Sequence, residues 1–486
     1  MNRQGRTVSA ARHDDARAAL AAVVGAGNVL HEAADTARHL ADWSGDRRGA
    51  ALAVVRPADV AEVRGILAVA RTHGLKVIVQ GGNTGLVGGA FGNDPDREIV
   101  LSLERMDRVL SVDAEDLSAR AEAGCTLQTL KDAAAAQGML MPLSLGAQGS
   151  ARIGGNVATN AGGVNVLSYG MMRDQILGLD VVLADGTLWS SPRGLRKDNR
   201  GIDMRHLFAG SEGALGVVVA VEVKLVPLPE RVETAYAATA SFADAMRLYR
   251  AARRESSGLL TAFEVIGAEC LPLARLANPA LSAPLSESHP VHAILEISAS
   301  GAIAARELLE GILARAMAEG VILDAVVAQN GAQARGFWAI REGLVEGQAR
   351  RGFHIRTDMS VPIGAMASFI GATRAEMSAR WPDWTAQVYG HAGDGNVHFN
   401  MLPPETMDPA EARCIGLEIA NALRAAVLAA GGSFSAEHGI GRVRAGAFWE
   451  SAPEPQRRTL AALKAALDPE GMLNPGCLIP DNGGPA

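Results

Sequence analysis

Three of the chain's eleven histidines fall in two short, glycine-flanked segments, where they could bind a metal and move a proton. The first segment is His391-Ala392-Gly393-Asp394-Gly395-Asn396-Val397-His398-Phe399-Asn400. It reads as a turn running into a strand. His398 and Asn400 are two apart and share one strand face, and the glycines can fold His391 back toward them. The second segment, Ser435-Ala436-Glu437-His438-Gly439-Ile440-Gly441, sets a carboxylate beside an imidazole. Two histidines and a carboxylate suit zinc or a similar divalent ion with one coordination position open, so His391, His398 and Glu437 are candidate ligands. The same spacing also fits ordinary turn histidines. A histidine near a bound cation has its protonated form disfavoured and can act as a base near neutrality. His438 is the candidate, with helix or turn capping as the competing role.

Two further stretches carry a different chemistry. Gln80-Gly81-Gly82-Asn83-Thr84-Gly85-Leu86-Val87-Gly88-Gly89 and Gly154-Gly155-Asn156-Val157-Ala158-Thr159-Asn160-Ala161-Gly162-Gly163 are rich in glycine, which lets successive backbone N–H groups line an anion nest. A dinucleotide's phosphates suit such nests, and Asn83 and Thr84 offer side-chain donors as well. The spacing is not that of a nicotinamide-binding Rossmann domain. After the first loop, Glu98 to Leu103 reads as a strand where that fingerprint requires a helix. Arg341, on an expected helix, and Arg356, on an expected strand, carry the planar fork that suits a carboxylate; each also fits a surface ion pair.

The elements that must position these groups can be read along the chain. A helix is expected from His13 to about Leu40 and a buried strand at Ala51–Val55. Next come a helix opened by Pro57 and Asp59 and stopped at Gly74, and a strand from Lys76 to Val79. Val109 to Ala123 reads as one strand, followed by a helix starting near Thr126. Asp185-Gly186 reads as the turn of a hairpin. Gly210-Ser211-Glu212-Gly213 is a third glycine-rich turn, leading into a strand from Val217. Pro227 and Pro229 mark a boundary. Beyond it, strands and helices alternate, which predicts helices packed on a sheet. Helices are also expected at Glu411–Ala430 and Pro455–Leu467.

Bulk composition bounds the function. At 486 residues the chain is long enough for two or three domains, and 48% of it is apolar. A net charge of −7 argues against a nucleic-acid partner. The four cysteines are scattered, with no Cys-x-x-Cys pair, so neither a disulfide framework nor a cysteine-held cluster is expected. The apolar run Ala18–Val24 is far short of the roughly 20 residues of a membrane span. Arg3, Arg6 and Arg12 give a faint transit-peptide look that Asp14 and Asp15 cut short, and a cytoplasmic location is expected.

The ordered set of motifs resembles a known family. It comprises Gln80–Gly89, Leu145–Gly163, Leu195-Arg196-Lys197-Asp198-Asn199, Gly210–Gly213, His391–Asn400, Ser435–Gly441 and Leu473-Asn474-Pro475-Gly476. Together these resemble the FAD-linked D-2-hydroxyacid dehydrogenases, flavoproteins of the vanillyl-alcohol oxidase type. The D-2-hydroxyglutarate dehydrogenases are nearest, and the cytochrome-type D-lactate dehydrogenases are cousins.

The resemblance implies an α+β fold. A two-part FAD-binding domain of vanillyl-alcohol oxidase type (47–228) would follow an N-terminal helical segment (1–46). An α/β cap, or substrate, domain (229–430) and a C-terminal helical segment (431–486) would complete it. It implies that Gln80, Gly81, Gly82, Asn83, Thr84, Gly85 and Leu86 wrap the pyrophosphate. Pro142, Leu143, Gly146, Ala147, Gly149, Ser150, Gly154, Gly155, Asn156, Thr159 and Asn160 would line the rest of the cofactor, with Glu212, Val217 and Asn474 reaching it from elsewhere. Neither loop's core holds a histidine, so the FAD is expected to be non-covalent.

By the same resemblance His391, His398 and Glu437 would hold a divalent metal, zinc being expected. His438 would be the general base, Asn400 a substrate contact and Arg341 the arginine for the substrate carboxylate. Two positions depart from the hydroxyglutarate pattern: Val345 where a threonine is usual and Arg356 where a lysine is usual. The retained positive charge at 356 favours a substrate with a second carboxylate, while the two changes together leave open which dicarboxylate it is. A D-2-hydroxyacid substrate is implied. So is an external electron acceptor, whether an electron-transfer flavoprotein, a cytochrome or a quinone; a homodimer is compatible. Competing classes are a D-lactate-type dehydrogenase, a non-haem iron oxygenase and a non-catalytic flavin-binding subunit.

Overall fold

Asp59 accepts the backbone N–H of Glu62 at 2.9 Å, and Gly74 closes the same helix, Val60–His73, in the left-handed region. Side-chain N-caps also open the helices Leu127–Ala135, Phe242–Glu255, Gly331–Arg351 and Pro409–Ala429. The computed structural model describes residues 3–43, 45, 47–286 and 288–480, with side chains from residue 12 onward. The chain divides into two units. The first comprises 1–161, 171–228 and 437–486; the second comprises 162–170 and 229–436. No helix among the described residues is long and apolar enough to cross a membrane.

In the first unit, strands Ala53–Val55, Glu98–Ser102 and Lys76–Gln80 pair in parallel, and the short strand Val29–Leu30 adds antiparallel at the edge. A second, five-stranded sheet is antiparallel, with Val217–Lys224 at its centre. Both sheets contribute to one apolar core. Residues 472–474 run beside Lys76–Gln80: Val77 N donates to Met472 O at 2.8 Å and Asn474 N to Val77 O at 2.9 Å. The C-terminal segment is thereby fastened to the strand that leads into the first glycine loop.

Three local expectations differ from what is observed. The helix expected to continue to Leu40 stops at Val24, because Gly25 adopts φ 82° and the Asn28 amide donates to Val24 O at 2.8 Å. The strand expected over 109–123 is two, Val109–Asp113 and Ser118–Glu122. Asp113 turns the chain by accepting from the backbone of Glu115 and Asp116, both at 2.9 Å. The second glycine stretch begins as a helix, Ile153–Ala158. There Gly154 serves close packing, since a Cβ would lie 2.5 Å from that of Ala123.

The second unit is a seven-stranded sheet in which every pairing is antiparallel. Helices Phe242–Glu255, Ala305–Ala318, Met366–Arg380 and Pro409–Ala429 contribute to the apolar core on one face. Helices Leu271–Ala277 and Gly331–Arg351 contribute to the core on the other. Strand alternation assigns Phe263, Val265, Val388, Val397, Phe399 and Met401 to the first face. Glu264, Tyr389, His391, His398 and Asn400 therefore fall on the second.

The two glycine stretches meet backbone to backbone. A Cβ on Gly82 would lie 2.1 Å from Ser150 O, whereas one on Gly85 would meet nothing within 4 Å. Gly82→Ala is therefore expected to lower stability by roughly 1–3 kcal/mol, and Gly85→Ala to leave it nearly unchanged. Thermal midpoints of the two variants check this; equal midpoints would refute the close approach.

Candidate active site

In the second unit the site is organised by a carboxylate that the motifs did not reveal. Glu264, on strand Leu260–Gly267, is fully buried. Its Oε1 lies 2.5 Å from His391 Nδ1, and its Oε2 accepts from Arg341 Nε at 2.7 Å. Burial pushes this carboxyl up, but the charges and hydrogen bonds of His391 and Arg341 more than offset it and hold it at about 2. Its ionised form is thus the resident one. Glu264 and His391 face each other directly across paired strands.

His398 is oriented in the same way, with Nδ1 3.1 Å from Thr357 O. A carbonyl only accepts, so Nδ1 carries the proton. The two histidine rings stand 6.0 Å apart at 77°, and they offer ring nitrogens within 4.8 Å of each other. An imidazole anchored through Nδ1 to oxygen, with Nε2 as the coordinating atom, is the usual arrangement of a metal-binding histidine. The donor pair therefore fits a borderline-soft divalent ion.

Asn400 is 2% exposed, and its amide is committed to the protein. Oδ1 accepts Thr357 N at 2.7 Å; Nδ2 donates to Gln348 Oε1 at 3.0 Å and to Tyr389 Oη at 3.3 Å. Asn400 fixes Thr357, whose carbonyl fixes His398. Tyr389 is the hub of the face. Its ring lies 5.0 Å from that of His398 and 4.7 Å from the Arg341 guanidinium, and its hydroxyl donates to Gln348 at 3.1 Å. Burial pushes its phenol to about 12, against the pull of the Arg341 and Arg356 charges. Asp358, wholly buried, accepts from Asn396 Nδ2 and from Ala436 N, each at 3.1 Å; Glu437 is the next residue in the chain.

In the first unit the glycine loop has the character of an anion site. Among the described residues, no backbone N–H from Gly81 to Val87 donates to a protein acceptor. Backbone donors left unmatched in a half-buried loop call for a ligand or water. Cβ atoms on Gly85, Gly146 or Gly149 would meet nothing within 4 Å, so these positions border open space. The buried Asn156 Oδ1 has no partner. Ala147 O turns the chain by accepting from Ser150 N and Ala151 N at 2.9 and 2.7 Å. Leu143 and Val217 are buried and supply shape. A diphosphate-bearing dinucleotide such as FAD fits this lining.

Several side chains expected to touch the cofactor also brace the loops. Gln80 is buried, with Nε2 on His39 O and Ala90 O at 2.9 and 2.6 Å. Asn83 directs its amide to Arg38 O and Ala41 O at 3.1 and 2.7 Å. Thr159 Oγ1 donates back to Gly155 O, and Asn160 Oδ1 accepts Arg173 N at 2.9 Å. Asn474 accepts Val79 N at 2.7 Å and donates to Glu212 O and Gly89 O at 2.6 and 3.2 Å. Its side chain clamps the C-terminal segment to Val79, Gly89 and Glu212.

Glu212 holds the turn after His438: its carboxylate accepts Ile440 N at 2.7 Å and Gly441 N at 2.6 Å. Burial pushes this carboxyl up, against those bonds and the Arg444 charge. Gly441, at φ 54°, lies so close to Val87 that a Cβ would stand 2.1 Å from its carbonyl oxygen. Within this unit the Glu437–His438 turn is thus tied to the first glycine loop.

Comparison with known proteins agrees with this division of labour. Residues 51–191 match the FAD binding domain family, and residues 228–478 match the C-terminal domain of FAD linked oxidases. The chain is 38% identical over 472 residues to the mitochondrial D-2-hydroxyglutarate dehydrogenase of Bos taurus, covering 96% of this chain and 84% of that one. It is 36% identical over 454 residues to the D-2-hydroxyglutarate dehydrogenase of Xanthomonas citri pv. viticola, covering 93% and 94%. Among solved structures, p-cresol methylhydroxylase superposes with a TM-score of 0.74 at 16% identity, covering 97% and 98% of the two chains. The 4-ethylphenol oxidase of Gulosibacter chungangensis superposes with a TM-score of 0.71 at 19% identity and the same coverage. The fold is that of the vanillyl-alcohol oxidase type flavoproteins, and by sequence the chain belongs to the FAD-dependent D-2-hydroxyglutarate dehydrogenase family.

Proposed function

We propose that this chain oxidises D-2-hydroxyglutarate, or a closely similar D-2-hydroxy dicarboxylate, to the 2-oxoacid. The reading of the substrate class is carried by Arg341, whose guanidinium lies 4.7 Å over the Tyr389 ring beside His398, and by Arg356, whose chain neighbours Ile355 and Thr357 are bonded to Met401 and Asn400 of the histidine strand. One cation suffices for a monocarboxylate; a second suits a second carboxylate. Glu264 uses the Nε of Arg341, so the role falls on its Nη edge.

His391, His398 and Glu437 would hold a divalent cation, zinc by the chemistry of the donor set, and the loops at 81–86 and 142–160 would hold non-covalent FAD. When bound, these two groups supply polarisation of the substrate's 2-hydroxyl and acceptance of the C2 hydride. His438 would take the hydroxyl proton, held for the purpose by the turn that Glu212 ties down. Asn400 and Thr357 would keep His398 in register, and Glu264 would do the same for His391 and Arg341. Electrons would leave to an external acceptor, an electron-transfer flavoprotein, cytochrome or quinone.

Anaerobic mixing of the yellow protein with D- and L-2-hydroxyacids tests the reading. D-2-hydroxyglutarate is expected to bleach the flavin and its L-enantiomer is not; bleaching by D-lactate alone would move the assignment to the lactate-type enzymes. His438→Ala is expected to keep its FAD while bleaching slows by at least about 10²-fold, the scale of general base catalysis. Fast bleaching in that variant would remove the base assignment. Treatment with a chelator should abolish bleaching and added zinc restore it, and indifference to the chelator would contradict the metal's role.

A further inference from the structure

The arginine that departs from the family's lysine has a partner of its own. His354 is buried, and both of its ring nitrogens are engaged. Nδ1 lies 2.8 Å from Gly352 O and Nε2 lies 3.0 Å from Arg356 Nε. A carbonyl only accepts and a guanidinium only donates, so Nδ1 carries the proton and Nε2 presents a lone pair to Arg356. The neighbours thus select a single neutral tautomer. The backbone on either side of Arg356 is also held. Ile355 exchanges hydrogen bonds with Met401 at 2.9 and 3.1 Å, and Thr357 N donates to Asn400 at 2.7 Å.

The bond from His354 uses Nε and none of the Nη donors. Arg341 is pinned at the same atom by Glu264. In both arginines the pin fixes the plane of the guanidinium, and the Nη edge is the one that matches a carboxylate's two oxygens. A lysine at 356 would act as a point charge and need no such orientation; an arginine's planar fork is productive only when aimed.

We propose that His354 is a positioning residue that sets specificity for a dicarboxylate by aiming Arg356 at the distal carboxylate. This rests on the reading that Arg356 receives that group. The role predicts a defect confined to substrates bearing a second carboxylate.

The test uses the FAD-loaded full chain in three variants. His354→Phe keeps a ring and removes the lone pair, His354→Gln returns an acceptor near the position of Nε2, and Arg356→Ala removes the charge. Steady-state kinetics are measured with D-2-hydroxyglutarate and D-lactate. His354→Phe is expected to raise KM for D-2-hydroxyglutarate about tenfold, the scale of one hydrogen bond to a charged group, with kcat within about twofold. Its kcat/KM for D-lactate should be unchanged, and His354→Gln should recover most of the loss. Equal losses on both substrates, or an unchanged KM for D-2-hydroxyglutarate, would overturn the proposal. Should the phenylalanine variant fail to fold, His354→Gln with wild-type discrimination supports the proposal, and His354→Gln with the discrimination of Arg356→Ala overturns it. If Arg356→Ala itself leaves discrimination intact, the distal-carboxylate reading fails and the proposal falls with it. If Arg356→Ala loses discrimination while His354→Phe keeps it, only the positioning role fails.

Discussion

A single buried carboxylate constrains the chemistry of the second unit. An isolated charge in the position of Glu264 would cost several kcal/mol in desolvation. Two partners offset that cost, one on each oxygen: His391 and Arg341. The consequence runs outward from there. Glu264 determines which His391 nitrogen faces it and which is presented elsewhere. It also holds Arg341 by its Nε while the guanidinium lies over the Tyr389 ring. Removing the carboxylate would leave a buried arginine without its counter-ion, so the group cannot be exchanged without disturbing both neighbours.

Sheet register extends this control. Glu264 faces His391, Tyr389 faces His398, and Gln387 faces Asn400 across paired strands. Alternation then sends the intervening Phe263, Val265, Val388, Val397 and Phe399 into the opposite core. A slip of one residue would send the histidines into that core and its apolar side chains into the polar face, so the apolar pattern and the polar site fix each other's register. In the first unit the analogous constraint is close approach. Gly82, Gly154 and Gly441 stand where a side chain would collide with neighbouring atoms.

Much of this was legible in the sequence, and the unread parts have physical reasons. The turn-strand character of His391–Asn400, the Asp-Gly hairpin and the capped helix after Asp59 depend on local chemistry and could be read from neighbours. Glu264 carries no motif. Its one signal is a lone charge inside the apolar run Leu260–Gly267, which demands buried partners but does not name them. The amides of Gln80, Asn83, Asn400 and Asn474, read as candidates for ligand contact, bond backbone or side-chain groups far away in sequence. A type and a spacing reveal that an amide has hydrogen bonds to make; only the folded chain reveals with whom. The break after Val24 and the split strand at Asp113 each hinged on a glycine or a side-chain bond that composition alone underweights.

The claim most open to direct measurement is that Glu264 orients His391 for the metal-binding role proposed for it. The decisive quantity is the dissociation constant for zinc of the FAD-loaded Glu264→Gln protein, measured by competition with a chromogenic chelator. The account predicts binding roughly 10–100-fold weaker than in the unsubstituted protein, the usual effect of losing a partner that orients a ligand. Equal affinity in the two proteins would contradict it.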